Sequence, residues 1–216
     1  MKPEGDFTRS LWEAVQYIYT ALINHPFVDQ LAEGTLPPQC FAHYLSQDIL
    51  YIWDDSYALG KLSLKAPTAS DQEFFKSLAS DGILIEQELH HYYLKFFNVE
   101  EAKMKSPVID KYTHFLIAHS EESSYRIAAT ALLPCFWVYN EVGKHIVIHT
   151  VKNNVYQKWI DTYQGDEYEV YTKNFIQLVE RLAEKATENE KKIMREAFVQ
   201  AAGFELSFFD ESISKQ

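Results

Sequence analysis

Apolar residues recur at three- and four-residue steps along most of the chain, the spacing of helices that bury one face. One row runs Phe41, Tyr44, Leu45, Ile49 and Ile52; another runs Tyr171, Phe175, Leu178, Leu182 and Lys185, with Val179 and Ala183 beside it. No long strand-like alternation interrupts this pattern, and no repeat or low-complexity segment occurs. Thr35-Leu36-Pro37-Pro38 opens a helix predicted to run to about Lys65. Ala66-Pro67-Thr68-Ala69-Ser70-Asp71 ends it and caps the next, from about Ser70 to Phe97. Ser106-Pro107 opens another in the order N-cap, then first helical position. Glu121-Glu122-Ser123-Ser124 separates that helix from one through Cys135, and Thr187-Glu188-Asn189-Glu190 recaps before a last helix to about Ser212. The chain therefore reads as all-α, a single-domain helical bundle over residues 1–216.

One proline breaks the punctuation rule. Six of the seven prolines lie at element starts or in connections, but Pro134 sits inside the apolar run Ile127 to Tyr139. An interior proline removes a backbone hydrogen bond and presses its ring on the carbonyl four residues back. The expected kink frees the carbonyl of Thr130 and can turn the next side chain toward a cavity. That side chain is the thiol of Cys135, either a small core hydrophobe or a nucleophile.

Composition narrows the function classes. The net charge is −11 and arginine occurs only at 9, 126, 181 and 195. No basic stripe exists to neutralise phosphates, so nucleic acid is not an expected partner. The lack of a Gly-rich loop argues against a nucleotide as well. Aromatic residues make up 15% of the chain, good walls for a flat ligand that is uncharged or cationic. The two cysteines, Cys40 and Cys135, form no metal-like or redox pair, consistent with free thiols in a reducing compartment. The N-terminus leads into no apolar signal core, and no apolar run approaches the roughly 20 residues that cross a bilayer. A soluble, cytoplasmic protein with no membrane partner is expected. The charged tracts 100–105 and 188–192 read as solvated surface.

Three further groups of residues carry chemistry. Asp48 and Tyr51 are i, i+3 neighbours beside the inward face of their helix. A buried carboxylate needs a partner, which can be a cationic side chain, a helix N-terminus or the amino group of a ligand. Glu205 and Phe208 repeat that spacing on the last helix, where an acid beside an aromatic face is either exposed or raised in pKa and able to carry a proton near neutrality. Tyr112, Tyr139 and Tyr163 each offer a ring for stacking and a hydroxyl for orientation, in core or in site.

Taken in order, these residues resemble the TenA/thiaminase II family. The matching pieces are Phe27-Val28, Gly34-Thr35-Leu36-Pro37, Gln47-Asp48 with Tyr51, Tyr112-Thr113, Leu133-Pro134-Cys135 with Trp137 and Tyr139, Trp159-Ile160 with Tyr163, and Glu205 with Phe208-Phe209-Asp210. They span about residues 7 to 213. The resemblance implies a haem-oxygenase-like fold and a homotetramer. It implies hydrolysis of thiamin, or of its degradation product 4-amino-5-aminomethyl-2-methylpyrimidine, to the hydroxymethylpyrimidine. It makes Cys135 the nucleophile, with Asp48, Tyr51, Tyr112, Tyr139, Tyr163, Glu205 and Phe208 lining the pyrimidine site. Phe209 is a departure, because the family commonly carries tryptophan there.

The residue types suit that chemistry. A thiolate adding to a ring carbon breaks aromaticity and lets the exocyclic methylene expel its amine or thiazolium, after which water adds and the thiolate leaves. Glu205 is assigned to a ring nitrogen and Asp48 to the 4-amino group. No metal or organic cofactor is required. Two other readings stand beside this one. Glu88 and His91 have the Glu-x-x-His spacing of di-iron carboxylate helices, though no second copy of the motif occurs. The same fold can also serve a non-catalytic, pyrimidine-binding regulatory protein.

Overall fold

A computed structural model describes residues 2–97, 102–162 and 165–215, with the side chains of 84–88, 90, 91, 166 and 167 outside that description. Within it the chain is helical: α1 (Asp6–Ala14), α2 (Gln16–Ile23), α3 (Pro26–Glu33), α4 (Pro38–Lys65), α5 (Ala69–Phe97), α6 (Pro107–Glu122), α7 (Tyr125–His149), α8 (Gln157–Asp161), α9 (Asp166–Glu184) and α10 (Glu188–Ile213). No strand occurs among the described residues.

Local chemistry sets the boundaries. His25 caps α3 by accepting from the Phe27 amide, Pro26 takes the first helical position, and Gly34 ends the helix at φ 71°. That left-handed turn lets the amides of Thr35 and Leu36 fold back on the Gln30 carbonyl. Ser106 caps α6 through the Ile109 amide. Thr187 and Glu190 close a reciprocal capping box on α10. Pro134 lies inside α7, which continues through it to His149.

Four helices converge where the sequence put its chemistry. α4 packs along α5 and α6, α7 packs on α10 and α9, and α10 reaches α6 and α4. The buried row of α4 passes without interruption from Phe41, Tyr44 and Leu45 to Asp48, Tyr51 and Asp55, then to Leu59 and Leu62. Polar side chains therefore occupy core positions midway along the helix. Aromatic packing holds the frame around them. Trp137 is fully buried and stacks on Trp12 at 4.9 Å between ring centroids. Phe27 stacks on Phe209 at 5.0 Å.

Two expectations change on contact with the structure. Lys185 is the exposed C-cap of α9 and no part of its buried face, because the helix has already ended at Glu184. Of the charged tracts, Lys103, Glu188 and Lys192 are exposed as expected, residues 100 and 101 lie outside the described residues, and Lys105 and Glu190 are only partly exposed. Lys105 is partly buried and donates to the carboxylate of Asp54 and to the Thr113 hydroxyl. Glu190 both caps α10 and pairs with Arg126 at 3.0 Å. No helix among the described residues is long and apolar enough to cross a membrane.

Candidate active site

The four converging helices, together with α5 and α9, line a cavity of about 260 Å³. α4 contributes Tyr44, Asp48, Tyr51 and Asp55; α6 contributes Tyr112; α7 contributes Cys135 and Tyr139; α10 contributes Glu205 and Phe208. Seven of the eight residues singled out from the sequence thus line one space. The eighth, Tyr163, lies outside the described residues, although Thr162 and Gly165 on either side of the gap both line the cavity. Glu88 and His91 fall on α5, where their side chains are outside the description. Among the described residues no cluster of three metal-ligating side chains forms.

Each wall has a structural reason for its position. Gln47 is buried and spans to the start of α6, donating to the Met104 carbonyl at 3.2 Å and accepting from the Ser106 amide at 2.7 Å. It ties the N-cap of α6, the helix that carries Tyr112, to the helix that carries Asp48. Tyr168 of α9 directs its hydroxyl at the carbonyls of Cys135 and Phe136, both at 3.4 Å, next to Pro134. Phe208 stacks on Tyr44 at 4.9 Å, and the Tyr44 hydroxyl donates to that of Tyr139 at 3.3 Å. Phe209 does not line the cavity; it packs behind it against Phe27, Tyr44 and Tyr139. The departure at this position therefore acts on the support of the wall.

The electrostatics are those of buried acids without cations. Asp48, Asp55, Asp81 and Glu205 all line the cavity, and no lysine, arginine or histidine stands among the described lining residues. Glu205 is 2% exposed and accepts from the Tyr112 hydroxyl at 2.5 Å. Burial lifts its carboxyl to about 8, with the Tyr112 bond opposing and the charges of Asp48 and Asp55 reinforcing. Burial likewise lifts Asp55 to about 7. Cys135 is partly buried, and burial followed by the Asp55 and Glu205 charges pushes its thiol well above its ordinary range. The resting cysteine is a thiol, and its activation must come with the ligand or with proton transfer.

Asp55 escaped the sequence reading. It sits four residues after Tyr51 and seven after Asp48, a helical spacing that marks it in retrospect. It was hidden by the doublet Asp54-Asp55, which looks like a solvated face.

Residues 12–215 match the model of the TENA/THI-4/PQQC family. The chain belongs to that family. It is 34% identical over 213 residues to the thiamine biosynthesis multifunctional protein ThiED of Corynebacterium efficiens, covering 98% of this chain. The chain spans only 29% of the length of that relative. It is 30% identical over 199 residues to the aminopyrimidine aminohydrolase of Bacillus subtilis, covering 89% of this chain and 83% of that protein. Among solved structures, a TenA homologue from Pyrococcus furiosus superposes with a TM-score of 0.90 at 24% identity, covering 96% of this chain and 100% of that one. A domain with a heme oxygenase-like fold from Shewanella denitrificans superposes with a TM-score of 0.67 at 12% identity, covering 97% of this chain and 92% of that one. The TENA/THI-4/PQQC fold of this chain is thus all-helical and haem-oxygenase-like.

Proposed function

We propose that this chain is an aminopyrimidine aminohydrolase of the thiaminase II type. It would convert 4-amino-5-aminomethyl-2-methylpyrimidine and water to the hydroxymethylpyrimidine and ammonia, or release the thiazole half of thiamin by the same route. The observation that carries the reading is the meeting of a nucleophile, Cys135, and a proton-bearing acid, Glu205, in one cavity walled by aromatic rings. The aminohydrolase relatives support it.

Cys135 attacks a ring carbon as its proton passes to water, to be taken up finally by the released ammonia, and the electron pair of the broken π bond moves onto a ring nitrogen. Glu205 is mostly protonated at neutral pH and gives its proton to that nitrogen. Tyr112 occupies Oε1, so the acid proton is carried on Oε2 and aimed by a fixed partner. The exocyclic methylene then expels the amine, water adds to that carbon, and the ring returns the electron pair as sulfur departs. Asp48 accepts from the 4-amino group, while Phe208 and the tyrosines clamp the flat ring. No step calls for a metal or an organic cofactor. The test is ammonia release from the purified protein given the aminomethylpyrimidine, with the hydroxymethyl product identified by chromatography. Binding of that pyrimidine with no ammonia formed would make this a binding protein.

A further inference from the structure

Four carboxyl groups line the cavity. Asp48 and Glu205 have roles in the proposed reaction, Asp81 accepts from the Tyr171 hydroxyl at 3.0 Å, and Asp55 is left idle. Asp55 is 7% exposed, lines the cavity, and its Oδ1 has no hydrogen-bond partner. A buried carboxylate with an unmet oxygen is costly, so a fold that keeps one either suffers a defect or awaits a ligand. Ligands with positive charge fit best, because no cationic side chain lines the space among the described residues. Asp55 also lies two turns beyond Asp48 on α4, about 10 Å along the axis. Two carboxylates at different heights on one wall can each face a different substituent of a small ring.

We infer that Asp55 receives the positive charge of the group that departs, and so selects aminopyrimidines whose exocyclic methylene carries a cationic substituent. The inference rests on the aminohydrolase reading and extends it to the leaving-group end of the ligand. The substrate's ammonium donates to Asp55 in a charge-assisted hydrogen bond. The hydroxymethyl product carries no charge at that atom and loses the contact, which favours its exit. A cation at Asp55 also offsets one of the negative charges that hold Cys135 in its thiol form. Substrate binding thereby helps to make the nucleophile, and the empty site stays unreactive.

The test compares two ligands on the same preparations: kcat and KM for the aminomethylpyrimidine, and the inhibition constant of the hydroxymethylpyrimidine. Asp55→Asn keeps size and removes charge. It should lower kcat/KM for the amine about ten- to a hundredfold, with a marked rise in KM. The inhibition constant of the neutral product should move less than about twofold. Asp55→Ser, which removes the charge with a smaller side chain, should give the same pattern if the asparagine variant folds poorly. An equal loss for both ligands would overturn the inference and make Asp55 a wall of the pyrimidine pocket. A fall in kcat at constant KM would also overturn it, placing Asp55 on Cys135 instead. A wild-type protein that releases no ammonia and is blind to both pyrimidines would instead sink the aminohydrolase reading itself.

Discussion

Glu205 is where the chemistry can be separated most sharply from the architecture. Its carboxyl is buried, bonded to Tyr112 and lifted to about 8, so it holds a proton at neutral pH, as the proposed role of acid requires. Glu205→Gln keeps the shape and some hydrogen bonding but cannot exchange a proton. We expect the pyrimidine to bind within about threefold of wild type while kcat falls at least about a hundredfold; unchanged turnover would take Glu205 out of the mechanism. Cys40 is the internal control. It is fully buried at the start of α4, with its thiol directed at the Ile213 carbonyl at 3.6 Å, and it does not line the cavity. Cys40→Ser should retain near wild-type turnover, and a large loss there would mean the wrong thiol has been chosen. Cys135 and Glu205 were legible in the sequence because each breaks a local rule, a thiol after an interior proline and an acid on an apolar face. Asp55 was not, because the acidic doublet Asp54-Asp55 looks like solvated surface; only the spacing from Asp48 and Tyr51 marks it as inward, while Asp54 pairs with Lys105.

Among the elements, the joint between α4 and α6 bears most directly on the site. Gln47 satisfies the Ser106 amide and the Met104 carbonyl with one side chain, and so fixes the entry of the helix that presents Tyr112 to Glu205. Gln47→Leu would leave both backbone groups without their partner. The expected cost is about 1–3 kcal/mol of stability, read as a drop in denaturation midpoint, with a fall in activity as Tyr112 loosens. A variant as stable and active as wild type would show that the α6 entry is held by other contacts. Helix boundaries were the most readable part of the chain. Pro-rich starts and Ser/Thr caps act through neighbouring backbone groups, so Ser106-Pro107 and Thr187 to Glu190 reveal them locally. The role of Gln47 was unreadable for the opposite reason, since its partners lie in a connection that no periodicity describes.

For the whole molecule, burying several acids in one cavity should leave a mark on stability. Asp55 and Glu205 are raised to about 7 and about 8 in the folded chain, against values near 4 when unfolded. Between pH 4 and 8 the native state therefore binds more protons than the unfolded state, and these two groups make unfolding easier as pH rises. Their contribution is fully present below about pH 4 and lost above about pH 8. The double variant Asp55→Asn with Glu205→Gln should gain in melting temperature relative to wild type as pH is raised from 5 to 8.5. A difference that stays constant over that range would place both acids near their ordinary values. The assembly offers a separate check. Large apolar residues stand exposed on α4 and α5, including Trp53, Tyr57 and Leu64, and the homotetramer implied by the family resemblance predicts a solution mass of about 100 kDa from chains of 25.2 kDa. A mass equal to one chain in light scattering would remove the tetramer from the account.

In the proposed covalent route, the Cys135 sulfur makes the bond that splits the substrate. Ammonia release from the aminomethylpyrimidine, measured side by side for wild type and Cys135→Ser, tests it most directly. Removal of the nucleophile should cost at least about a hundredfold in turnover while the variant keeps its helical signal and still binds the pyrimidine. Near-normal ammonia release by the folded serine variant would contradict covalent catalysis and leave direct attack by water as the route.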